Sequence, residues 1–439
     1  AEQMIPSIEQ LIELGLGYIS LSRKMGTLSG GEAQRVKIAR HLGSSLNNLI
    51  YIFDEPSAGL HPEEVPLLIQ MMQRLKKQHN TVLVVEHERE IIKIADEVIE
   101  MGPDAGANGG RVVYQGTPVG LRHSLVQTEW KQSVNVQEQV RESTSFFHVK
   151  NATRHNLKNI TLDIPKHVLV SICGVSGSGK STLMLEEFLE RYPEAIWVSQ
   201  DQIGISSRST LATYMGIMDD IRRLIAKETG QPPGMFSFNS IGACPACHGK
   251  GVLQPDVAFA DPITVTCEAC HGTRYSKEAL SYTYRGLTIA DILHITIAEL
   301  DRYFDSPKIK RRIDVLRDVG MDYVTLGQTT NTLSGGELQR LKLASHLQQK
   351  GNIYVLDEPS LGLHQKDKEK LLALFQRLVD HGNSVLIIEH DVHFLAASDW
   401  IIELGPKGGA EGGYVLFEGT PKQMLTANTP TARSFAVGV

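Results

Sequence analysis

The chain has 439 residues, of which 41% are hydrophobic and 21% charged, and its net charge is -6. These values are typical of a folded protein of two to four domains and exclude a disordered, collagen-like or coiled-coil chain. The net negative charge also excludes a general attraction to nucleic acid or anionic membranes, so any DNA contact must come from a local patch. Because no run of about 18 apolar residues and no signal peptide stand out, we expect a cytoplasmic protein without a membrane partner.

Three segments of the sequence occur twice in the same order. Residues 27–42, 50–61 and 82–87 recur as residues 332–347, 353–364 and 385–390. An ordered series of matches indicates an internal repeat. We call residues 1–120 copy one and residues 146–439 copy two. The counterpart of the glycine-rich segment 174–182 of copy two would fall before residue 1, so we expect copy one to lack its first half within this chain.

Short apolar runs alternate with amphipathic stretches in copy two. Runs rich in Val, Ile and Leu, typical of buried parallel strands, occupy residues 168–173, 195–199, 352–357 and 384–390. Amphipathic spacing predicts helices over residues 181–192, 336–347 and 366–382. This alternation predicts an α/β fold. The polar residues 121–145 predict a linker between the copies, although a surface helix fits them nearly as well.

Residues 174–182 read GVSGSGKST and stand between a predicted strand and a predicted helix. This is the spacing of a phosphate-binding P-loop, with an ordinary Gly/Ser turn as the alternative. Glycines let backbone N–H groups turn toward a phosphate, Lys180 reaches the β- and γ-phosphates, and Ser181 takes a Mg²⁺ position. The pattern predicts that nucleotide and Mg²⁺ are bound by Gly174, Ser176, Gly177, Gly179, Lys180, Ser181 and Thr182.

Four of the five cysteines form two Cys-x-x-Cys pairs, Cys244, Cys247, Cys267 and Cys270. Their spacing is that of a zinc module in which four thiolates form a closed tetrahedral shell, so the predicted Zn²⁺ is structural. One alternative is c-type haem attachment, because a histidine follows each pair, and the other is a set of disulfides. The lack of an export signal and a reducing cytosol argue against both.

The second LSGGE segment comprises Ser334, Gly335, Gly336 and Glu337 before its helix continues. A Ser followed three residues later by a Glu forms a capping box, which would explain these two residues without any ligand. The two glycines lower helix propensity, and capping leaves them unexplained. Because bare backbone N–H groups at a helix N-terminus suit an approaching anion, the pattern predicts a second phosphate-facing surface.

Polar residues end several predicted strands. Asp357 ends one strand in the position of a Mg²⁺ ligand, and Glu358 follows where a carboxylate can orient and deprotonate an attacking water. Gln200 ends another strand and could bridge the metal and the water, and His390 ends a further strand and could touch the γ-phosphate. Alone, Gln200 or His390 would more often be an ordinary strand-end polar group. The Glu-His pair recurs at residues 86–87, which favours a functional role.

These motifs, in this order, resemble those of an ATP-binding-cassette (ABC) ATPase. In that family two cassettes meet head to tail, and the LSGGE signature of each cassette closes the P-loop of the other. The resemblance implies that ATP, held by the P-loop of copy two, faces the copy-one signature Ser29, Gly30 and Gly31. It also implies a second site, with a P-loop outside this chain, for the copy-two signature Ser334, Gly335 and Gly336.

A zinc module between P-loop and signature is foreign to transporter ATPases but present in the UvrA family of bacterial excision repair. Residues 235–251, 267–280 and 325–347 look like the second half of UvrA, and residues 14–46 look like the end of its first half. The resemblance is to the C-terminal portion of UvrA or to a compact UvrA-like paralogue. It implies an ATP hydrolase, not itself the nuclease, that dimerises, recognises damage in double-stranded DNA and loads a helicase-like subunit. The alternative is a UvrA-like self-resistance ATPase acting on drug-intercalated DNA or ribosomes without excision.

The predicted fold is therefore one complete and one N-terminally truncated ABC cassette with a helical signature and zinc-ribbon insertion. We expect the end of the first cassette over residues 1–120, a linker over 121–145 and the P-loop part of the second cassette over 146–205. The insertion is expected over residues 206–325, and the remainder of the second cassette over 326–439. Residues 201–320 carry 14 basic and 14 acidic residues, so they are less acidic than the rest of the chain. The candidate DNA-phosphate contacts there are Arg222, Arg223 and Lys227.

Overall fold

The computed structural model describes residues 5–24, 32, 35–39, 48–57, 59–102, 110–123, 134–198, 208–253, 264–347, 352–361, 363 and 365–438. The chain forms two compact units. Unit 1 contains Ala1–Ser199 and Gln349–Val439, and unit 2 contains Gln200–Gln348. Unit 1 thus holds copy one together with the P-loop and Asp357, Glu358 and His390 of copy two. Unit 2 holds Gln200, the four clustered cysteines and the copy-two signature.

The strands, in chain order, are β1 (Ile50–Asp54), β2 (Thr81–Val85), β3 (Val98–Gly102), β4 (Arg111–Gly116), β5 (Phe146–Ala152), β6 (Ile160–Pro165), β7 (Leu169–Cys173), β8 (Ile196–Val198), β9 (Val252–Leu253), β10 (Val265–Thr266), β11 (Ile353–Asp357), β12 (Ser384–Ile388), β13 (Trp400–Gly405) and β14 (Tyr414–Gly419).

The α-helices are α1 (Ile5–Glu13), α2 (Val65–Lys77), α3 (Arg89–Lys93), α4 (Leu189–Arg191), α5 (Leu211–Tyr214), α6 (Ile217–Thr229), α7 (Ile289–His294), α8 (Pro307–Asp318), α9 (Gly335–His346), α10 (Gln365–Asp380), α11 (Val392–Ala396), α12 (Pro421–Met424) and α13 (Pro430–Gly438). A π-helical segment, Thr182–Phe188, precedes α4 directly.

The core of copy two is a six-stranded sheet with strand order β14-β13-β7-β12-β11-β8. Its strands are parallel except for β14, which runs antiparallel to β13. Every residue of β7 and β12 is buried, as the continuous apolar runs predict for a parallel sheet covered on both faces. The antiparallel pair β5–β6 packs against the helix after the P-loop, where the ring centroids of Phe147 and Phe188 are 5.2 Å apart.

Copy one repeats the end of this arrangement. Strands β1 and β2 pair in parallel as β11 and β12 do, and β3 and β4 pair as β13 and β14 do. In copy two, β7 joins β12 to β13, whereas among the described residues no strand joins β2 to β3. The predicted α/β fold is confirmed.

One face of the paired strands β1 and β2 is exposed. Helix α2 covers the other face through Leu68, Met71, Met72 and Leu75. Leu83 is 51% exposed, whereas its counterpart in copy two, Leu386, is fully buried. The same contrast separates Ile50 of β1 from Ile353 of β11.

Part of the predicted linker 121–145 is described, and residues 134–145 form neither helix nor strand. Arg141 fastens this segment to copy two, because its Nη1 atom lies 3.1 Å from Asp399 Oδ2 and its Nη2 atom 2.7 Å from Asp380 Oδ1. Residues 124–133 lie outside the described residues. In the described part of the chain, no helix is both long and apolar enough to cross a bilayer.

Unit 2 is a helical layer joined to the cysteine segment. Ile221 and Ile225 of α6 and Ile309 and Ile313 of α8 are buried. Arg312 of α8 pairs with Asp220 of α6, with 2.7 Å between Nη1 and Oδ2. The predicted helical insertion with a cysteine module therefore folds as a unit with its own buried core.

The two copies allow a matched test of strand burial. We expect Leu386→Ala to lower the free energy of unfolding by about 2–5 kcal/mol, since it removes a fully buried side chain. The counterpart Leu83→Ala removes the same atoms from a half-exposed position and should cost less than about 1 kcal/mol. Urea denaturation followed by circular dichroism measures both values. Equal losses in the two variants would contradict the exposed face of copy one.

Candidate nucleotide and zinc sites

The P-loop runs from the end of β7 into the following helix, as its sequence predicts. Lys180 folds back over the loop, and its Nζ atom donates to the carbonyl oxygens of Gly174 at 2.6 Å and Val175 at 3.0 Å. Burial lowers the pKa of Lys180, and the nearby carboxylate of Glu358 opposes this shift. The ammonium thus occupies a buried position at the mouth of the loop, where an incoming phosphate would replace backbone carbonyls as its partner.

Asp357 and Glu358 lie at the carboxyl end of β11, beside the P-loop. Glu358 has a left-handed backbone with φ of 45°, and its N–H donates to the carbonyl oxygen of Ile388 at 2.9 Å. Burial and the adjacent Asp357 raise the pKa of Glu358 to about 8, although Lys180 opposes them. A carboxylate with a raised pKa is a stronger base, which suits a group that takes a proton from water near neutral pH.

His390 follows β12 and faces the same site. Its Nδ1 atom is buried and has no hydrogen-bond partner among the described residues. Loss of solvent around the ring and the nearby Lys180 ammonium lower the pKa of His390 well below its usual range, so the imidazole is neutral. A buried nitrogen without a partner is costly and therefore favours a ligand atom at this position.

Glu389 connects the segment after β11, which carries Glu358, to the segment after β12, which carries His390. Its carboxylate accepts from the N–H of Ser360 at 2.8 Å and from the N–H of His390 at 3.0 Å. Glu86 of copy one accepts from the N–H of Ser57 at 2.8 Å in the same way. In the sequence, we take the repeated Glu-His pair as support for the histidine alone. The glutamate recurs at the same spacing in both copies, and this recurrence is the sequence signal for its role.

Copy one supplies the other side of the site. A Cβ atom placed on Gly59, whose φ is 71°, would lie 2.8 Å from Glu358 Oε2, so the copy-one backbone touches the carboxylate directly. The His61 ring lies edge-to-face against His390, with centroids 5.5 Å apart. The His61 Nδ1 atom accepts from the N–H of Glu63, which leaves Nε2–H to donate to Thr431 Oγ1 at 3.0 Å. Residues of both copies therefore line the P-loop site.

The hydroxyl of Ser176, predicted to bind nucleotide, donates to Glu64 Oε2 of copy one at 2.6 Å. Glu64 also pairs with Arg35, with 2.8 Å between Oε1 and Nη1. Although burial opposes it, Arg35 and the Ser176 hydroxyl lower the pKa of Glu64 and keep it ionised. The sequence does not predict this role for Glu64, because no motif spacing connects it to the P-loop.

Several predicted site residues either lie outside the described residues or belong to unit 2. Ser29, Gly30, Gly31 and Gln200 lie outside the described residues, so their roles stay predictions. The predicted capping box is present at Ser334, whose Oγ accepts from the N–H of Glu337 at 3.3 Å while Glu337 Oε2 accepts from the N–H of Ser334 at 2.8 Å. Gly335 and Gly336 form the first turn of α9 in unit 2.

The four cysteines of the two pairs come together in unit 2. Their Sγ atoms all lie within 4.8 Å of one another, and all four side chains are buried. The Sγ atoms of Cys247 and Cys270 are 3.7 Å apart, close to the ~3.8 Å edge of a tetrahedron with Zn–S bonds of about 2.3 Å. The N–H of Gly251 donates to Cys247 Sγ at 3.2 Å, as expected for a thiolate ligand. All four thiols are free of disulfides, and the set fits Zn²⁺.

Comparison with known proteins agrees with this geometry. Residues 157–361 match the family model described as ABC transporter. The chain is 43% identical to UvrABC system protein A of Aquifex aeolicus, over 96% of this chain and 50% of that protein, and 41% identical to that of Thermus thermophilus, over 99% and 50%. UvrA2 from Deinococcus radiodurans superimposes with a TM-score of 0.93 at 38% identity, over 100% of this chain and 58% of that chain.

The chain is thus similar to UvrA proteins over nearly its whole length. The resemblance found in the motifs is thereby confirmed, as is the ABC cassette fold that it implies. The chain spans about half the length of the curated UvrA proteins it matches. An ABC cassette implies ATP and Mg²⁺ as ligands, and the cysteine cluster of this chain is compatible with zinc.

The zinc assignment is tested by metal content. We expect about one zinc ion per chain, because four buried thiols at this spacing form one tetrahedral site. Cys247→Ser should lose most of the bound zinc and lower the thermal unfolding midpoint, because metal affinity contributes to folding. Cys173→Ala removes the cysteine outside the cluster and should retain the metal. A chelator dye added after denaturation measures zinc, and unchanged zinc content in Cys247→Ser would contradict the assignment.

Proposed function

We propose that this chain is a UvrA-type ATPase that binds double-stranded DNA, works as a dimer, and uses ATP to recognise damage and load a helicase-like excision subunit. The observation that carries the proposal is the meeting of Lys180, Glu358 and His390 with a copy-one loop, in a chain similar to UvrA proteins. Excision itself would belong to other subunits.

In this proposal each residue of the site has a distinct task. Lys180 and the N–H groups of the P-loop bind the β- and γ-phosphates. Ser181 and Asp357 would hold Mg²⁺, which shields the phosphate charge when bound. Glu358 takes a proton from the attacking water, and the unpartnered Nδ1 atom of His390 contacts the γ-phosphate or that water. The copy-one signature Ser29, Gly30 and Gly31 would complete the site.

The zinc-containing unit offers the proposed DNA contact. A cavity of about 440 Å³ is lined by Arg222, Arg223, Pro233, Ser237 and others beside the cysteine segment. Arg222 is oriented by the carbonyl of Phe236, 3.3 Å from its Nε atom, while the side chain of Arg223 is 71% exposed. Arg223 and Lys227 are four residues apart on α6 and thus share a face. Their positive charges suit DNA phosphates.

The catalytic base is tested by Glu358→Gln. We expect ATP turnover to fall by at least about 10²-fold, the scale of losing a general base, while ATP still binds. Glu55→Gln makes the same change at the copy-one counterpart, which has no P-loop within this chain, and should leave turnover near wild type. Phosphate release measures turnover, and a fluorescent ATP analogue measures binding. Unchanged turnover in Glu358→Gln would remove Glu358 from this role.

The DNA-binding surface is tested by the triple variant Arg222→Ala, Arg223→Ala and Lys227→Ala. We expect weaker binding of a duplex and a shallower dependence of affinity on salt, because up to three phosphate contacts are lost. The triple variant Lys308→Ala, Lys310→Ala and Arg311→Ala removes the same charge from α8 and serves as the control. Equal losses in both triples would show that net charge alone is responsible.

The same assay addresses damage recognition. With ATP present, we expect tighter binding to a duplex with one bulky lesion than to the undamaged duplex. Equal affinity for the two duplexes would contradict damage recognition and favour a binding ATPase without excision.

A further inference from the structure

Tyr18 of copy one lies against the P-loop of copy two. A Cβ atom placed on Gly177 would stand 2.4 Å from the Tyr18 ring, and one on Gly409 would stand 2.5 Å from the Tyr18 Cβ atom. Gly177 also has φ of 70°, a backbone conformation that side chains disfavour. The ring therefore packs directly on P-loop backbone, and a side chain at Gly177 would displace it.

The other end of Tyr18 reaches the signature segment of copy one. Its hydroxyl donates to Glu32 Oε1 at 2.6 Å, and Glu32 immediately follows the signature residues 29–31. Burial and the Glu32 carboxylate raise the pKa of Tyr18, so the phenol keeps its proton and remains a donor. Arg23 lies 3.4 Å from the second oxygen of the Glu32 carboxylate, which fixes its orientation.

A second set of contacts also joins the signature region of copy one to the P-loop. Arg35, three residues after Glu32, pairs with Glu64, and Glu64 accepts from the hydroxyl of Ser176 at 2.6 Å. Arg35 and Glu32 belong to the same signature region, and Ser176 and Gly177 are consecutive in the P-loop. Two connections from one end of the signature segment thus reach adjacent P-loop residues.

Copy two contains the same tyrosine–glutamate pair. The Tyr323 hydroxyl donates to Glu337 Oε1 at 2.5 Å, and Tyr323 precedes its signature by the same eleven residues as Tyr18. The pair is thus a feature of the repeated module. The contact of Tyr18 with Gly177 adds a partner that belongs to the nucleotide site.

We propose that Tyr18, supported by Glu64, is a positioning residue that couples the copy-one signature to the P-loop holding ATP. The proposal rests on the proposed ATPase function. The ring packs on the P-loop backbone at Gly177, and the hydroxyl donates to Glu32, which directly follows the signature in the sequence. Because the signature acts on the transition state, this coupling affects the catalytic step more than nucleotide binding.

The test compares Tyr18→Phe with Tyr323→Phe in the full chain. Tyr18→Phe retains the ring on the P-loop and loses the hydrogen bond to Glu32. We expect its kcat for ATP hydrolysis to fall about tenfold, the scale of one hydrogen bond to a charged group, with the KM for ATP within about twofold. Tyr323→Phe removes the same bond in copy two and should leave both constants unchanged.

Two further variants separate positioning from general destabilisation. Tyr18→Ala removes the ring as well and should also raise the KM for ATP. Glu64→Gln keeps the size of the side chain, loses its charge and should lower kcat as Tyr18→Phe does. A wild-type kcat in Tyr18→Phe, or an equal fall in Tyr323→Phe, would overturn the proposal. Lack of ATP hydrolysis by the wild-type chain would instead refute the proposed function.

Discussion

The structure depends on the pairing of charged groups that are buried where the two copies meet. Lys180 is buried at the P-loop, where burial lowers its pKa and both Glu358 and Glu64 oppose that shift. Glu358 belongs to copy two, whereas Glu64 comes from copy one and is itself held by Arg35 and Ser176. Because a buried charge without a partner is costly, Glu64 of copy one adds to Glu358 in favouring the charged form of the P-loop lysine.

The two copies of the module differ in how far their strands are buried. Copy two buries every residue of β7 and β12. Copy one buries one face of β1 and β2 against α2, while Leu83 on the other face stays half-exposed. Its loop after β1 gains further partners at the nucleotide site, where Gly59 touches Glu358 and His61 touches His390. Residues of copy one thus form part of the P-loop site.

Much of the site was predictable because its residues sit at ends of regular elements. Parallel strands place their carboxyl ends at one edge of a sheet, so Asp357 after β11 and His390 after β12 were expected near the P-loop after β7. The cysteine cluster was predictable because each Cys-x-x-Cys pair supplies two ligands from a local turn, and only the meeting of two turns had to be inferred. The repeated segments 50–61 and 82–87 carry β1 and β2, which pair in the structure as β11 and β12 do.

The sequence by itself determined the repeat, the α/β cassette, the nucleotide-binding loop and the four-cysteine module, since each depends on spacing within a short segment. Only the tertiary structure decided that Glu64 receives the Ser176 hydroxyl and that Tyr18 covers Gly177. Residues 64 and 176 are separated by 112 positions, and their contact follows from how two modules pack. Hydrophobic periodicity orients a side chain within its own element but does not name its partner in another copy. The shape and charge of the packed interface determine which residues of the two copies meet.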